Sequence, residues 1–166
     1  PMPTYKGVSL LLDGGANADC KPLHLLQFAV MGSAYMEKVF DLKSPSVRIL
    51  SIGEEETKGN FLVKHTIPHM REIGVNFQGT LEGRDVNTGE TDVIVCDGFV
   101  GNIVLKMAEG LSKTIINMIK REVKKRPLAI LGALLAKGAF SAVKKHTNPD
   151  QYGGAPLVGV NGVAII

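Results

Sequence analysis

The stretch Asp92–Met107, DVIVCDGFVGNIVLKM, decides the fold that we predict for this chain. It begins with Val93–Cys96, an unbroken apolar run that suits a central strand of a parallel sheet, covered by helices on both faces. Asp97 and Gly98 end the strand, and a helical pattern of apolar residues follows. We therefore expect a buried strand that is joined to a helix by a tight turn, with Cys96 as a core residue.

The turn between this strand and its helix has two interpretations. Gly98 and Gly101 would let the backbone approach an anion, which the unpaired N–H groups and the dipole of a helix N-terminus favour. In open α/β sheets, ligands bind at this end of the strands. Alternatively, the segment is only a tight turn in which Asp97 and Asn102 are caps. Spacing alone leaves both interpretations open.

Strands and helices alternate in the chain before this stretch. Val8–Asp13 is another apolar run that ends in an aspartate, and Pro22 suits the first turn of the next helix. Ser46–Ile52 and Val75–Gly79 are further strand candidates. The alternation predicts a single α/β domain over residues 1–166, with a mainly parallel sheet and right-handed crossovers.

Polar clusters follow each of these strands. We expect Glu54–Glu56 to begin a helix that runs to about Ile73, because acidic side chains complement the dipole at a helix N-terminus. Since the carboxyl ends of parallel strands share one edge of a sheet, the clusters together predict a composite site. The clusters are Asp13–Asp19, Gly53–Asn60, Glu82–Asp85 and Asp97–Asn102.

Both ends of the chain resemble interior segments of a longer protein. Pro1–Thr4 is typical of a linker, and Gly162–Ile166 has the composition of a buried strand. Tyr152–Pro156 is a glycine-rich approach to that strand, and it is either a turn or a further source of backbone N–H groups for the anion. We expect the 166 residues to be part of a longer polypeptide.

Residues 101–146 predict a long helix followed by a projecting helical hairpin that is both basic and apolar. Lys120–Lys145 contains eight Lys or Arg and one Glu, a local excess of +7 in a chain whose net charge is +3. Leu128, Leu131 and Leu135 would share one face of a helix. Two interpretations stay open: a helix in a membrane interface with basic residues among the headgroups, or a hairpin packed against a second subunit.

Composition excludes several classes of protein. The basic charge belongs to one segment, which makes a general nucleic-acid binder improbable. Cys20 and Cys96 lie far apart and have neither metal-ligand spacing nor a disulfide framework. No apolar run reaches the roughly 18 residues of a membrane span. We expect a cytoplasmic protein, associated with the inner face of the cell membrane if the hairpin binds lipid.

Five motifs in series resemble the bacterial phosphate acyltransferase family (PlsX-type). Gly14 is a small departure, because the family has Val at that position, and the family's N-terminal portion precedes the segment that resembles this chain. The motifs are LLDGGANADCKPLHLLQFAVMG (11–32), IGEEETKGN (52–60), EGRD (82–85), CDGFVGNIVLK (96–106) and YGGAPLVGVNG (152–162).

The resemblance implies a three-layer α/β/α fold like that of isopropylmalate dehydrogenase and phosphotransacetylase, usually as a homodimer. It implies transfer of a fatty acyl group from acyl carrier protein to inorganic phosphate, which gives acyl phosphate for phospholipid synthesis. That chemistry requires no metal and no cofactor. The acidic carrier protein needs a positive docking surface, for which Lys120–Lys145 is the candidate, as it is for anionic lipid.

Motif membership and strand-end position suggest the site residues. Phosphate is itself a nucleophile, so the protein must hold it near the thioester carbonyl and stabilise the oxyanion. We expect phosphate or oxyanion donors, positive charge, and residues that shape the pocket. The donors are Gly98, Gly101 and Asn102, with Gly153 as a further binding residue; the charges are Lys58 and Lys106; the pocket residues are Asp13, Asn17, Glu54, Glu55 and Asp97.

Two other functions remain in view. One is a short-chain phosphotransacetylase that uses a coenzyme A thioester, although the apolar hairpin favours a fatty acyl substrate. The other is a non-catalytic fragment for dimerisation and membrane docking. A dehydrogenase is disfavoured, because no G-x-G-x-x-G fingerprint follows the first strand.

Overall fold

The computed structural model describes residues 1–146, 154–162 and 164–165. Strands and helices alternate along much of the chain, and a 3-10 turn at Gly83–Asp85 takes the place of a helix between the last two strands. The strands are β1 (Met2–Thr4), β2 (Gly7–Leu12), β3 (Ser46–Ser51), β4 (Asn76–Glu82) and β5 (Val93–Val95). The helices are α1 (Pro22–Val39), α2 (Phe61–Met70), α3 (Gly98–Lys124), α4 (Pro127–Leu135) and α5 (Lys137–His146).

The five strands form one sheet in the order β1-β2-β5-β3-β4. The last four are parallel, with Val95 of β5 opposite Leu12 on one side and opposite Ile49 on the other. Val93–Val95 is fully buried because strands flank it on both sides and helices cover both faces. The prediction of a central, doubly covered strand is confirmed.

Helices lie on both faces of the sheet, as a three-layer α/β/α fold requires. On one face, α1 and α2 pack over a core that includes Leu25, Met36 and Met70. On the other face, the start of α3 packs over a smaller cluster that includes Ile94 and Cys96. Cys96 is 3% exposed, in agreement with its predicted place in the core.

Two predictions about local structure were wrong. Pro1–Thr4 is not a linker, because Met2–Thr4 pairs antiparallel with β2, a partner that no local pattern reveals. Glu54–Glu56 does not begin a helix: α2 begins at Phe61 after Asn60, whose side chain accepts a hydrogen bond from Val63 N at 3.0 Å. The helix also ends at Met70 rather than near Ile73.

The C-terminal helices are largely exposed. In α3, only Gly98 and Gly101 are buried, and neither α4 nor α5 contains a buried residue. Among the described residues no helix taken alone has the length and hydropathy to cross a membrane, whereas α4 and α5, which are bent by 65°, meet that criterion as a pair. Nε2 of His146, at the end of α5, lies 3.1 Å from the carbonyl oxygen of Thr4 in β1. The hairpin formed by α4 and α5 therefore ends beside this strand of the sheet.

The predicted last strand is only partly within the described residues. Pro156 and Ile165 form an isolated antiparallel bridge, and Leu157 N donates to Ala164 O at 2.8 Å. Val163 and Ile166 lie outside the described residues, as does Gly153 of the predicted anion-binding turn.

Candidate functional site

The loop after β2, residues 13–17, is organised around one buried carboxylate and is called the Asp13 loop below. Asp13 Oδ1 accepts from Gly15 N and Ala16 N, both at 2.8 Å. Its Oδ2 accepts from Asn17 N at 2.7 Å and from Asn17 Nδ2 at 2.8 Å. Burial alone would raise the pKa of Asp13, but these hydrogen bonds hold the pKa below its usual value. The carboxylate therefore stays ionised and fixes the loop.

The first turn of α3 packs directly on the Asp13 loop, and two glycines allow the approach. Gly98 N donates to Asn17 O at 2.8 Å, and a Cβ at Gly98 would lie 2.8 Å from that oxygen. A Cβ at Gly101 would collide with Asp13 O. Gly101 N donates to Asp97 O at 3.0 Å. Both glycine N–H groups are thus used within the fold, and the two glycines explain how closely helix and loop approach.

Asp97 caps this helix, whereas Asn102 does not. Asp97 Oδ1 accepts from Val100 N at 2.8 Å, which satisfies one N–H of the first turn. Asn102 lies within α3, is exposed, and has its Oδ1 3.6 Å from the point where a Cβ of Gly15 would be. Its amide therefore stands beside the Asp13 loop, at the carboxyl edge of the sheet.

The loop after β3, residues 53–60, is called the Lys58 loop. Lys58 Nζ and Glu55 Oε2 are 2.9 Å apart in an exposed ion pair, which raises the pKa of Lys58 and lowers the pKa of Glu55. The backbone oxygens of Gly53 and Glu54 accept from Thr80 Oγ1 at 3.0 and 2.8 Å, which ties the loop to β4. The side chain of Glu54 is exposed.

Lys106 is also paired with a nearby carboxylate. Its Nζ lies 3.3 Å from Glu109 Oε2 on the exposed surface of α3. Exposed pairs of this kind contribute little to stability, about 0–1 kcal/mol, because water competes for both charges. The ammonium groups of Lys106 and Lys58 can therefore exchange their carboxylate partners for an incoming anion at small cost.

The predicted residues fall into two groups along one edge of the sheet. The Asp13 loop follows β2 and the Lys58 loop follows β3, with β5 between these strands. Gly153 lies outside the described residues. The first group is in mutual contact and contains Asp13, Asn17, Asp97, Gly98, Gly101 and Asn102. The second contains Glu54, Glu55 and Lys58, and Lys106 lies farther along α3.

Sequence reasoning missed two residues that position these groups. Gly15 has φ +137°, a conformation that favours glycine, and it provides the surface against which Asn102 lies. Thr80 anchors the Lys58 loop from within β4 and is 3% exposed. The G-G dipeptide was a local signal for the first residue. The second had none, because its partners are 26 and 27 residues away in the sequence.

The chemistry available at this edge is binding and polarisation rather than covalent catalysis by cysteine. Burial raises the pKa of Cys96 to about 12, with the negative charges of Asp97 and Asp13 as further causes. Its thiol therefore stays protonated and is a poor nucleophile. Among the described residues, no group of three or more His, Cys, Asp or Glu side chains could hold a metal ion.

Comparisons with known proteins agree on one family. All 166 residues match the family described as "Fatty acid synthesis protein". The chain is 62% identical over its full length to a phosphate acyltransferase of Elusimicrobium minutum (strain Pei191), covering 49% of that relative. It is 52% identical over 99% of its length to a phosphate acyltransferase of Aquifex aeolicus (strain VF5), again covering 49%. The chain spans about half the length of the curated relatives it matches.

Proposed function

Since the chain belongs to the fatty acid synthesis protein family, we propose that it acts in transferring a fatty acyl group from acyl carrier protein to inorganic phosphate. The observation that carries this proposal is the 62% identity, over the whole chain, to a phosphate acyltransferase. The acyl phosphate formed would feed phospholipid synthesis. The donor and the product are part of the proposal.

The reaction needs no covalent intermediate on the protein. A phosphate oxygen attacks the thioester carbonyl and forms a C–O bond; the C–S bond then breaks, and the carrier thiolate leaves and takes up a proton. The protein contributes by holding phosphate and thioester together and by stabilising the oxyanion. The raised pKa of Cys96 is consistent with this route, since an acyl-cysteine would need a thiolate.

We assign the oxyanion or phosphate contact to the side-chain amide of Asn102, which is exposed beside the Asp13 loop. Lys58 and Lys106 supply positive charge by exchanging their present carboxylate partners for phosphate. These three residues and Asp97, which holds the first turn of α3, make up the catalytic group.

The remaining predicted residues have positioning roles in this proposal. Asp13 and Asn17 hold the loop that faces Asn102, while Gly98 and Gly101 let α3 approach it. Because the N–H groups of both glycines are engaged within the fold, they are weaker candidates for direct phosphate contact than Asn102. Gly153 remains a candidate backbone donor to phosphate. Glu54 and Glu55 are further carboxylates that would shape the pocket.

Hydroxylamine trapping of acyl phosphate tests the function. Long-chain acyl carrier protein and inorganic phosphate are supplied to these 166 residues and, separately, to the longest natural chain that contains them. Product from both means that the site is complete within these residues. Product from the longer chain alone means that these residues form one part of the site. Product from neither contradicts the acyltransferase proposal, and product only from a short coenzyme A thioester favours a phosphotransacetylase.

The basic segment, residues 120–145, is our proposed docking surface for the acidic carrier protein. Its lysines and arginines are exposed at the end of α3 and on the hairpin. Charge-steered association weakens as salt screens the charges, with a Debye length of about 10 Å at 0.1 M. We therefore expect kcat/KM for the acyl carrier protein to fall steeply with salt, and salt-insensitive kinetics would contradict this surface.

The apolar faces of α3 and the hairpin support two further proposals. An exposed stripe at helical spacing on α3 fits the interface of a homodimer, and the apolar hairpin with its flanking lysines fits the surface of an anionic membrane. Leu128 and Leu135 of α4 are 85% and 83% exposed. The stripe consists of Ile103, Met107, Leu111, Ile115 and Met118.

A further inference from the structure

A groove of about 750 Å³ lies beside the Asp13 loop. It runs between α1 and residues 157–160, and Ala16 and Asn17 form its wall at the N-terminal end of α1. The segment 157–160 approaches α1 at Gly159: a Cβ there would lie 3.0 Å from Met31 Sδ, and the φ of +82° also favours glycine.

The wall of the groove is mainly apolar, although several of the side chains that form it lie at the protein surface. From Leu23 to Met31 the lining follows α1 for about 12 Å along the helix axis. Val30 is 46% exposed and Val160 is 47% exposed, so each presents apolar surface to the groove. Polar side chains, among them Asn17 and His24, occur near the end that adjoins the Asp13 loop.

The groove and the proposed acyl-transfer position share one loop. Asn17 lines the groove, its side chain donates to Asp13 and its carbonyl oxygen accepts from Gly98 N. A Cβ at Gly15, two residues earlier, would lie 3.5 Å from Asn102 Cβ, so Asn102 stands beside the same loop. A thioester carbonyl held at Asn102 would therefore lie beside the loop that forms one end of the groove.

We propose that this groove receives the fatty acyl chain of the donor, with the thioester at the Asp13 loop and the methyl end towards Val30 and Ile73. The assignment rests on the proposed acyltransferase function and adds to it a subsite that determines chain length. Its volume lies within the range of about 300–1,000 Å³ for small-molecule sites and far exceeds what a two-carbon acyl group needs. The mainly apolar wall favours an aliphatic chain over a charged or sugar ligand, which would gain polar partners only at the end where Asn17 and His24 lie.

The test compares octanoyl and palmitoyl acyl carrier protein as donors, with acyl phosphate trapped by hydroxylamine, using the longest natural chain that contains these residues. Val30→Trp fills the far part of the groove, which a short chain does not reach. We expect the ratio of kcat/KM for palmitoyl to that for octanoyl to fall at least about tenfold, since single methylenes in apolar pockets change this ratio by factors of about 10–200.

Val39→Trp is the matched control. Val39 has the same side chain on the same helix, is 58% exposed and lies outside the groove, so its substitution should leave the ratio within about twofold. Val30→Ser, which adds polarity without bulk, provides a second variant should Val30→Trp fail to fold, as checked by thermal unfolding. It should also lower the ratio.

Each result bears on the assignment. An unchanged ratio in a folded Val30 variant, with the natural chain active, overturns the groove assignment and leaves the acyltransferase function standing. If the natural chain makes no acyl phosphate from either donor, the proposed function itself fails and the groove assignment fails with it.

Discussion

The Asp13 loop and the hairpin formed by α4 and α5 differ in how closely their side chains are packed within the described part of the chain. In the loop, one carboxylate accepts four hydrogen bonds and two glycines bring α3 into backbone contact. In α4 and α5 no residue is buried, and two of the four leucines of α4, Leu128 and Leu135, are more than four-fifths exposed. The loop is stabilised by its own contacts. The hairpin presents apolar surface that gains free energy only against a partner.

If the loop is as tightly packed as its contacts indicate, Gly101→Ala should have the largest effect. The new Cβ would collide with the carbonyl oxygen of Asp13, and backbone on both sides would have to move. We expect the free energy of unfolding to fall by about 3 kcal/mol. Denaturant unfolding measures it. Gly110→Ala, in an open part of the same helix, should instead raise stability by about 0.5–1 kcal/mol, and equal stabilities for the two variants would contradict the close contact.

Asn102→Ala separates function from packing within the loop region. Asn102 is exposed, so its removal should leave unfolding unchanged, whereas loss of a donor to the oxyanion or phosphate should lower kcat about a hundredfold. Hydroxylamine trapping gives the rate. Asn117→Ala, an exposed asparagine on the same helix, is the control and should retain full activity. Full turnover by Asn102→Ala would remove the catalytic assignment.

Asp13→Asn probes the hydrogen bonds that stabilise the loop. An amide oxygen cannot replace two carboxylate oxygens, so we expect a loss of about 1–3 kcal/mol at neutral pH. Because the pKa of Asp13 is lower in the folded state, its contribution is fully present above the ordinary carboxyl pKa and is lost as pH falls through the folded-state pKa. The difference between wild type and variant should therefore shrink on acidification, as pH-dependent denaturation measures. Asp19→Asn, at an exposed aspartate, should leave the free energy of unfolding at neutral pH nearly unchanged.

Leu128→Glu should have the smallest effect on stability. Leu128 is 85% exposed, so the free energy of unfolding should change by less than about 0.5 kcal/mol, whereas Leu25→Ala in the core should cost about 2–5 kcal/mol. Flotation with anionic vesicles tests the proposed membrane contact, which the new carboxylate should weaken. If Leu128→Glu unfolds the protein, the hairpin is packed within the chain and the contrast with the loop is wrong.

The sequence pattern alone was sufficient to predict those elements in which every residue has the same environment. Val93–Val95 is buried on both faces, so every position had to be apolar, and that requirement is visible in the sequence. The helix start at Phe61 was not predicted: Asn60 caps it, but the three glutamates that precede it gave a competing signal. Dipole complementarity at a helix N-terminus is worth only about 0.3–1 kcal/mol, less than the side-chain cap that prevailed.

Sequence reasoning also grouped most of the candidate site, because parallel strands bring their carboxyl ends to one edge. It did not show how the groups within the site are used. The N–H of Gly98 is engaged by Asn17 O, a partner 81 residues earlier in the chain, and that pairing exists only after β2 and β5 lie side by side.

Composition and periodicity thus determined an α/β chain with a central apolar strand, a polar strand edge and a basic, apolar C-terminal segment, since these follow from each residue's nearest neighbours. Three features depended on chain folding: the pairing of Met2–Thr4 with β2, the glycine contacts of α3, and the groove formed where residues 157–160 cross α1. Each joins segments far apart in sequence, and its free energy comes from burial and hydrogen bonds that no single segment contains.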